Sequence, residues 1–130
     1  MMDILYKLRW ACTAAVSIAI LVLSTIPVPE VPELEDVPFI DKWVHFVMYG
    51  ALSLAMWLDR AAIRREGMSA AMWVMLLVYP ALYGGLMELV QAYCTTYRSG
   101  DWLDFYADAF GALVGLAVCS LIHKPLKRKL

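Results

Sequence analysis

Apolar residues fall in four long blocks separated by short polar segments. The first runs from Trp10 to Ile26, between Lys7 and Arg9 on one side and Pro27 on the other. The second spans Lys42 to Leu58 and is closed by Asp59-Arg60; the fourth spans about Trp102 to Ile122, ahead of Lys124-Pro125. Each approaches the ~20 residues that a helix needs to cross a bilayer. The third, from about Met68 to Tyr97, exceeds that length, so it must tilt, extend past the membrane or break. Pro80 and Gly84-Gly85 lie in its middle and give a kink a cause. No block alternates apolar and polar residues as a barrel strand does, so spanning helices are the form predicted. The expected fold is all-α: one polytopic membrane domain over residues 1–130, with transmembrane helices at about 10–26, 42–58, 68–97 and 102–122.

Composition sharpens this reading. The 130 residues are 62% hydrophobic, with a mean hydropathy of +0.65. A soluble domain is about 45–50% apolar, and a chain this small has little interior in which to hide a surplus. A signal peptide resembles the first block, but Pro27-Val28-Pro29-Glu30 follows it without a small-x-small cleavage pattern, which favours a retained helix. The net charge is −1, and neither a basic patch interleaved with aromatics nor a phosphate-binding glycine motif is present. No nucleic-acid partner is expected. Cys12, Cys94 and Cys119 form no CxxC pair and read as small apolar fillers, not a disulfide framework or zinc site.

Charge orients the bundle. Lys7 and Arg9 precede the first block, Arg60, Arg64 and Arg65 follow the second, and Lys124, Lys127, Arg128 and Lys129 follow the fourth. Lys42 and Arg98 lie at the opposite ends, so nine basic residues face two. By the positive-inside rule both termini are expected in the cytoplasm. The segment 27–41, rich in proline and acid, would then face outward as an extended strap.

Polar groups inside the apolar blocks carry the functional signal, because ionisable side chains at membrane depth are costly and face the bundle or a wet cavity. Lys42, His45 and Tyr49 share one helix face, with Asp41 a turn before His45. Gly84, Glu88, Gln91 and Thr95 form a second stripe; Asp101, Asp104, Asp108, Gly111 and Gly115 form a third. Glu88 lies roughly 13 Å from Tyr97 along a helix, and Asp108 roughly 10 Å from Asp101. These groups occupy the outward half, whereas Gly111 and Gly115 mark a close helix approach in the inner half. A polar cup is therefore expected, holding His45, Tyr49, Glu88, Gln91, Asp104 and Asp108, with Arg98 at its rim.

Plainer readings stand beside this one. Asp101 and Asp41 are placed to cap the fourth and second helices. Arg98 has the acidic strap as an ion-pair partner. His45 suits an interfacial hydrogen bond, and Tyr49 suits packing with a satisfied hydroxyl. His123, beside Lys124 at a helix end, reads as a surface residue favoured by the helix dipole.

The chain resembles the VanZ-like family of small bacterial membrane proteins. The matching pieces are Ser24-Thr25-Ile26-Pro27, Asp41-Lys42-x-x-His45-Phe46-x-x-Tyr49, Glu88-x-x-Gln91, Arg98, Asp101, Asp104 and the Gly111/Gly115 pair. Asp108 departs from it, standing where the family pattern often carries asparagine, which makes the cup more acidic. The family is named for a protein linked to low-level teicoplanin resistance, so the resemblance implies an association with glycopeptide resistance.

Three functions compete on these residues. The favoured one is a site that binds, with or without chemistry, an outer-leaflet lipid or lipid-linked cell-wall precursor. Here His45, Glu88, Asp104 and Asp108 are the candidate catalytic groups, and Asp41, Lys42, Tyr49, Gln91, Arg98 and Asp101 the candidate binding groups. Arg98 would engage a phosphate or carboxylate, and His45 would act as general base or acid, oriented by Asp41 or Asp104. No serine or cysteine sits in a recognisable nucleophile motif. No dedicated cofactor or metal site is expected, although one histidine among carboxylates suits a divalent cation such as Mg²⁺, Mn²⁺ or Ca²⁺. The second function is a proton-coupled transporter subunit, which as a four-span chain would need a homo-oligomer to form a path. The third is a scaffold or regulator of a partner membrane protein, using the glycine stripe.

Overall fold

The computed structural model describes residues 2–27, 33, 36–62, 68–96 and 100–129. Among them all regular structure is helical. A short helix, α1 (Met2–Lys7), precedes four longer ones: α2 (Ala11–Thr25), α3 (Ile40–Trp57), α4 (Ala70–Cys94) and α5 (Trp102–Lys129). One π-helical turn, Leu58–Ala62, continues α3.

The helix ends follow from local chemistry. Ile26, the residue before Pro27, adopts an extended conformation, because proline disfavours helical geometry in its predecessor. Phe39 sits in the left-handed region (φ 57°) immediately before α3 and turns the chain into it. The Ser69 hydroxyl accepts from the Met72 N–H and caps α4. Asp101 Oδ1 accepts from the Leu103 N–H at 2.9 Å and starts α5, the capping role its position allowed. The third apolar block thus becomes a 25-residue helix, shorter at both ends than its apolar run: Ser69 starts it and Thr95 is extended.

That helix runs on through Pro80. Proline has no N–H, so the Leu76 carbonyl, four residues earlier, loses its helical partner. The Ser53 hydroxyl of α3 donates to this carbonyl at 2.7 Å, so the gap is filled from a neighbouring helix.

Helices α3 and α5 share the most extensive contact, with α4 packed against both and α2 along α3 and α4. Glycines set the α3–α5 approach. A Cβ on Gly111 would collide with the Phe46 backbone, and one on Gly115 would lie 2.9 Å from the Gly50 carbonyl oxygen. The glycine stripe therefore packs inside this bundle, against α3. Asp59, in the π-helical turn, accepts from the backbone N–H groups of Cys12 (3.2 Å) and Thr13 (2.8 Å) and from the Thr13 hydroxyl (2.8 Å). It caps α2 from across the bundle, where α2's own sequence supplies no side-chain cap. His123 is not the plain surface residue its position suggested: it accepts from the Trp57 indole N–H at 3.3 Å and packs edge-on to Trp57 and Trp73.

Among the described residues, polar side chains share the interior with apolar ones such as Ile20, Leu52, Trp57 and Leu76. Buried residues include Thr13, Ser17, Ser24, His45, Ser53, Asp59, Glu88, Gln91, Asp104 and Asp108. Large apolar side chains are exposed along every long helix; Leu82, Leu86, Leu89 and Tyr93 form such a stripe on α4. Among the described residues two helical stretches, Ala70–Cys94 and Trp102–His123, are long and apolar enough to cross a membrane; Ala11–Thr25 is apolar but shorter.

Candidate functional site

His45 lies on the buried face of α3, which continues through Tyr49, Leu52, Ser53 and Met56. Because Gly111 lets α5 close on Phe46, neighbouring positions of α3 and α5 also meet. His45 Nδ1 lies 2.8 Å from Asp108 Oδ1. A carboxylate accepts, so this nitrogen carries the hydrogen, and Nε2 is left facing Asp104 Oδ2 at 3.7 Å. Asp108, completely buried, lies against Gly84 of α4, where a Cβ would come within 2.7 Å of its Oδ2. The histidine is thus oriented by Asp108 and not by Asp41 or Asp104, the partners expected from sequence.

Glu88 reaches the same place from α4. Its Oε2 accepts from the Asp101 N–H at 2.7 Å, an approach allowed by Gly100, whose Cβ position lies 2.9 Å from the Glu88 carbonyl oxygen. Its Oε1 is buried and has no hydrogen-bond partner among the described residues, and the same holds for the Tyr49 hydroxyl. Glu88, His45 and Asp104 offer ligand atoms that all lie within 4.8 Å of one another.

Lys42 lies at the same end of the bundle. Its Nζ lies 2.6 Å from Asp41 Oδ2, 3.0 Å from Asp101 Oδ2 and 2.8 Å from Asp104 Oδ1. The ammonium beside them holds the Asp41 and Asp101 carboxyls, just outside the apolar blocks, below their ordinary range; the Leu103 N–H adds to this at Asp101.

The predicted constellation therefore assembles in large part: Asp41, Lys42, His45, Glu88, Asp101, Asp104 and Asp108 form one connected cluster at one end of the bundle. Gln91 is directed elsewhere: its amide donates to the Ser24 carbonyl and ties α4 to α2. Arg98 lies outside the described residues. Sequence reasoning missed Ser53, Asp59, and the Ser17 hydroxyl that bonds Tyr79 at 2.8 Å while the Ser17 carbonyl accepts from Tyr83. Ser53 had a legible signal, since Pro80 announces an unpaired carbonyl at Leu76. The other partners depend on how the helices are rotated.

The profile of the family described as VanZ/LLP1 matches residues 4–123, nearly the whole chain. The chain belongs to this family. The cluster thus lies within a VanZ-like helical protein, and the family resemblance read from the motifs holds. No curated protein and no solved structure matches the chain.

Chemically, the cluster pairs an oriented imidazole with a carboxylate behind it, a geometry suited to proton transfer or cation binding at Nε2. Five carboxylates surround one lysine and one histidine, so the region is strongly acidic.

Proposed function

We propose that this VanZ-like chain crosses the bacterial inner membrane four times, with both termini in the cytoplasm. We further propose that its cluster binds the head group of an outer-leaflet lipid or lipid-linked envelope precursor. The buried polar groups, the exposed apolar stripes and the nine-to-two distribution of basic residues support the topology. That topology sets the cluster at the outer end of the bundle.

The observation that carries the binding reading is the pair of buried, unpartnered oxygens, Glu88 Oε1 and Tyr49 Oη, beside an oriented histidine. Leaving polar atoms unsatisfied at membrane depth is expensive, so groups left so are ones that a ligand completes. A transport path is less well supported. Deeper polar groups such as Ser53, Ser17 and Tyr79 are neutral and hydrogen-bonded, and the bundle narrows at the glycine contacts. His45 Nε2 is the group through which chemistry on a bound head group would run. Glycopeptide protection would follow if the ligand is a cell-wall precursor.

The test compares wild type, Glu88→Gln and His45→Ala in a bacterial host lacking homologues. Teicoplanin sensitivity, membrane abundance, melting in detergent and lipids retained in native mass spectrometry are measured together. The reading expects variants that accumulate and melt like wild type yet lose both the retained lipid and protection. Full retention in both variants would make the cluster structural.

A further inference from the structure

An anionic head group would meet a site that is already acidic, and this tension points to a missing positive charge. Lys42 Nζ is shared among Asp41, Asp101 and Asp104. Glu88 and Asp108 have no basic side chain beyond His45 at hydrogen-bonding distance among the described residues. Burying such an excess of carboxylates uncompensated is strongly unfavourable.

The arrangement is specific, not merely acidic. His45 donates Nδ1–H to Asp108 at 2.8 Å, which fixes the tautomer and leaves a lone pair on Nε2. Nε2 lies 3.7 Å from Asp104 Oδ2, and His45, Asp104 and Glu88 each offer a ligand atom within 4.8 Å of the others. Glu88 is 95% buried, at 5% relative exposure, and its Oε1 has no protein partner. A lone pair facing a carboxylate oxygen is repulsive unless a proton or a metal ion lies between them. Metal–ligand bonds of about 2.0–2.2 Å place ligand atoms about 3–4 Å apart, so a side-chain adjustment of about 1 Å closes the set.

We propose that His45 Nε2, Asp104 and Glu88 bind one divalent transition metal ion, with Asp108 as the residue that positions His45. An imidazole with two carboxylates favours Mn²⁺ or Zn²⁺ over Mg²⁺ and Ca²⁺, which prefer all-oxygen shells. Three protein ligands leave coordination positions open, and a phosphate oxygen of a head group can fill one. The Tyr49 hydroxyl, one turn along the same buried face of α3, is itself buried without a partner among the described residues. The inference deepens the binding reading of this cluster and rests on it.

The experiment uses the full chain in detergent, stripped with chelator and titrated with MnCl₂ or ZnCl₂ alone. Calorimetry and elemental analysis after desalting are expected to give one metal per chain. Pulsed electron paramagnetic resonance of the Mn²⁺ form should show coupling to one imidazole nitrogen. Glu88→Gln and His45→Gln should weaken binding at least tenfold and Asp108→Asn about tenfold, whereas Asp3→Asn should change nothing. Circular dichroism and melting confirm that each variant is folded; if one is not, the nitrogen coupling in wild type decides. No stoichiometric binding, no nitrogen coupling, or affinity unchanged in folded Glu88→Gln and His45→Gln would overturn the metal. Lipid retention is read in the same samples with and without metal. Lipid held by the stripped protein and lost in His45→Ala, with no stoichiometric metal bound to wild type, would sink the metal and keep the head-group reading. Metal bound with no lipid retained would do the reverse.

Discussion

The Ser53 hydroxyl donates to the Leu76 carbonyl at 2.7 Å, the carbonyl that Pro80 leaves without a helical partner. Ser53→Ala should strand a fully buried carbonyl and lower stability by about 1–2 kcal/mol. Pro80→Ala restores the N–H, so Ser53→Ala should cost much less in that background. Melting of the four proteins in detergent forms the double-mutant cycle, and additive losses would show that the hydroxyl does not replace the missing N–H.

Asp59 ties the π-helical turn to the start of α2 by accepting from Cys12 and Thr13. Asp59→Ala removes a cap on two backbone donors and should cost about 1–3 kcal/mol. The loss should appear as lower membrane abundance and melting temperature, with ligand retention per folded molecule unchanged. Loss of retention at full stability would place Asp59 in the functional machinery instead.

Gly111 allows the approach that brings His45 to Asp108. Gly111→Ala must push α3 and α5 apart, with a cost of about 1–3 kcal/mol from overpacking. Because the same displacement stretches the His45–Asp108 contact, lipid retention should fall together with melting temperature. Gly85→Ala meets only the Phe105 ring, at 3.4 Å, and should be far milder. Equal effects from the two substitutions would contradict a backbone-limited α3–α5 contact.

Lys42 depresses the Asp41 and Asp101 carboxyls, so these groups stabilise the fold while ionised. A lowered folded-state value gives stability that is present above the ordinary carboxylate value, about 3.9, and is lost as pH falls through the lowered one. Lys42→Met should therefore melt below wild type at pH 7, with the difference shrinking below about pH 4. A gap that widens on acidification would mean that the lysine stabilises by some other route.

Much of the site was legible in the chain because helical spacing is a local property. Lys42, His45 and Tyr49 share a face wherever α3 forms, and Asp101, Asp104 and Asp108 likewise on α5. The motif order also indicated the family that the profile match establishes. Helix ends at Pro27 and Asp101 were legible because their effects reach only a few residues, whereas the Ser69 cap emerged from the structure. Partner choice between helices was not legible. His45 finds Asp108 because Gly111 and Gly84 remove the atoms that would hold the three helices apart, and Gln91 turns to Ser24 because α2 lies on that side of α4. A one-dimensional pattern records which groups must be buried, since that depends on each residue's own polarity. Which buried group meets which depends on interhelical distance and rotation, and those emerge only when all the helices pack at once.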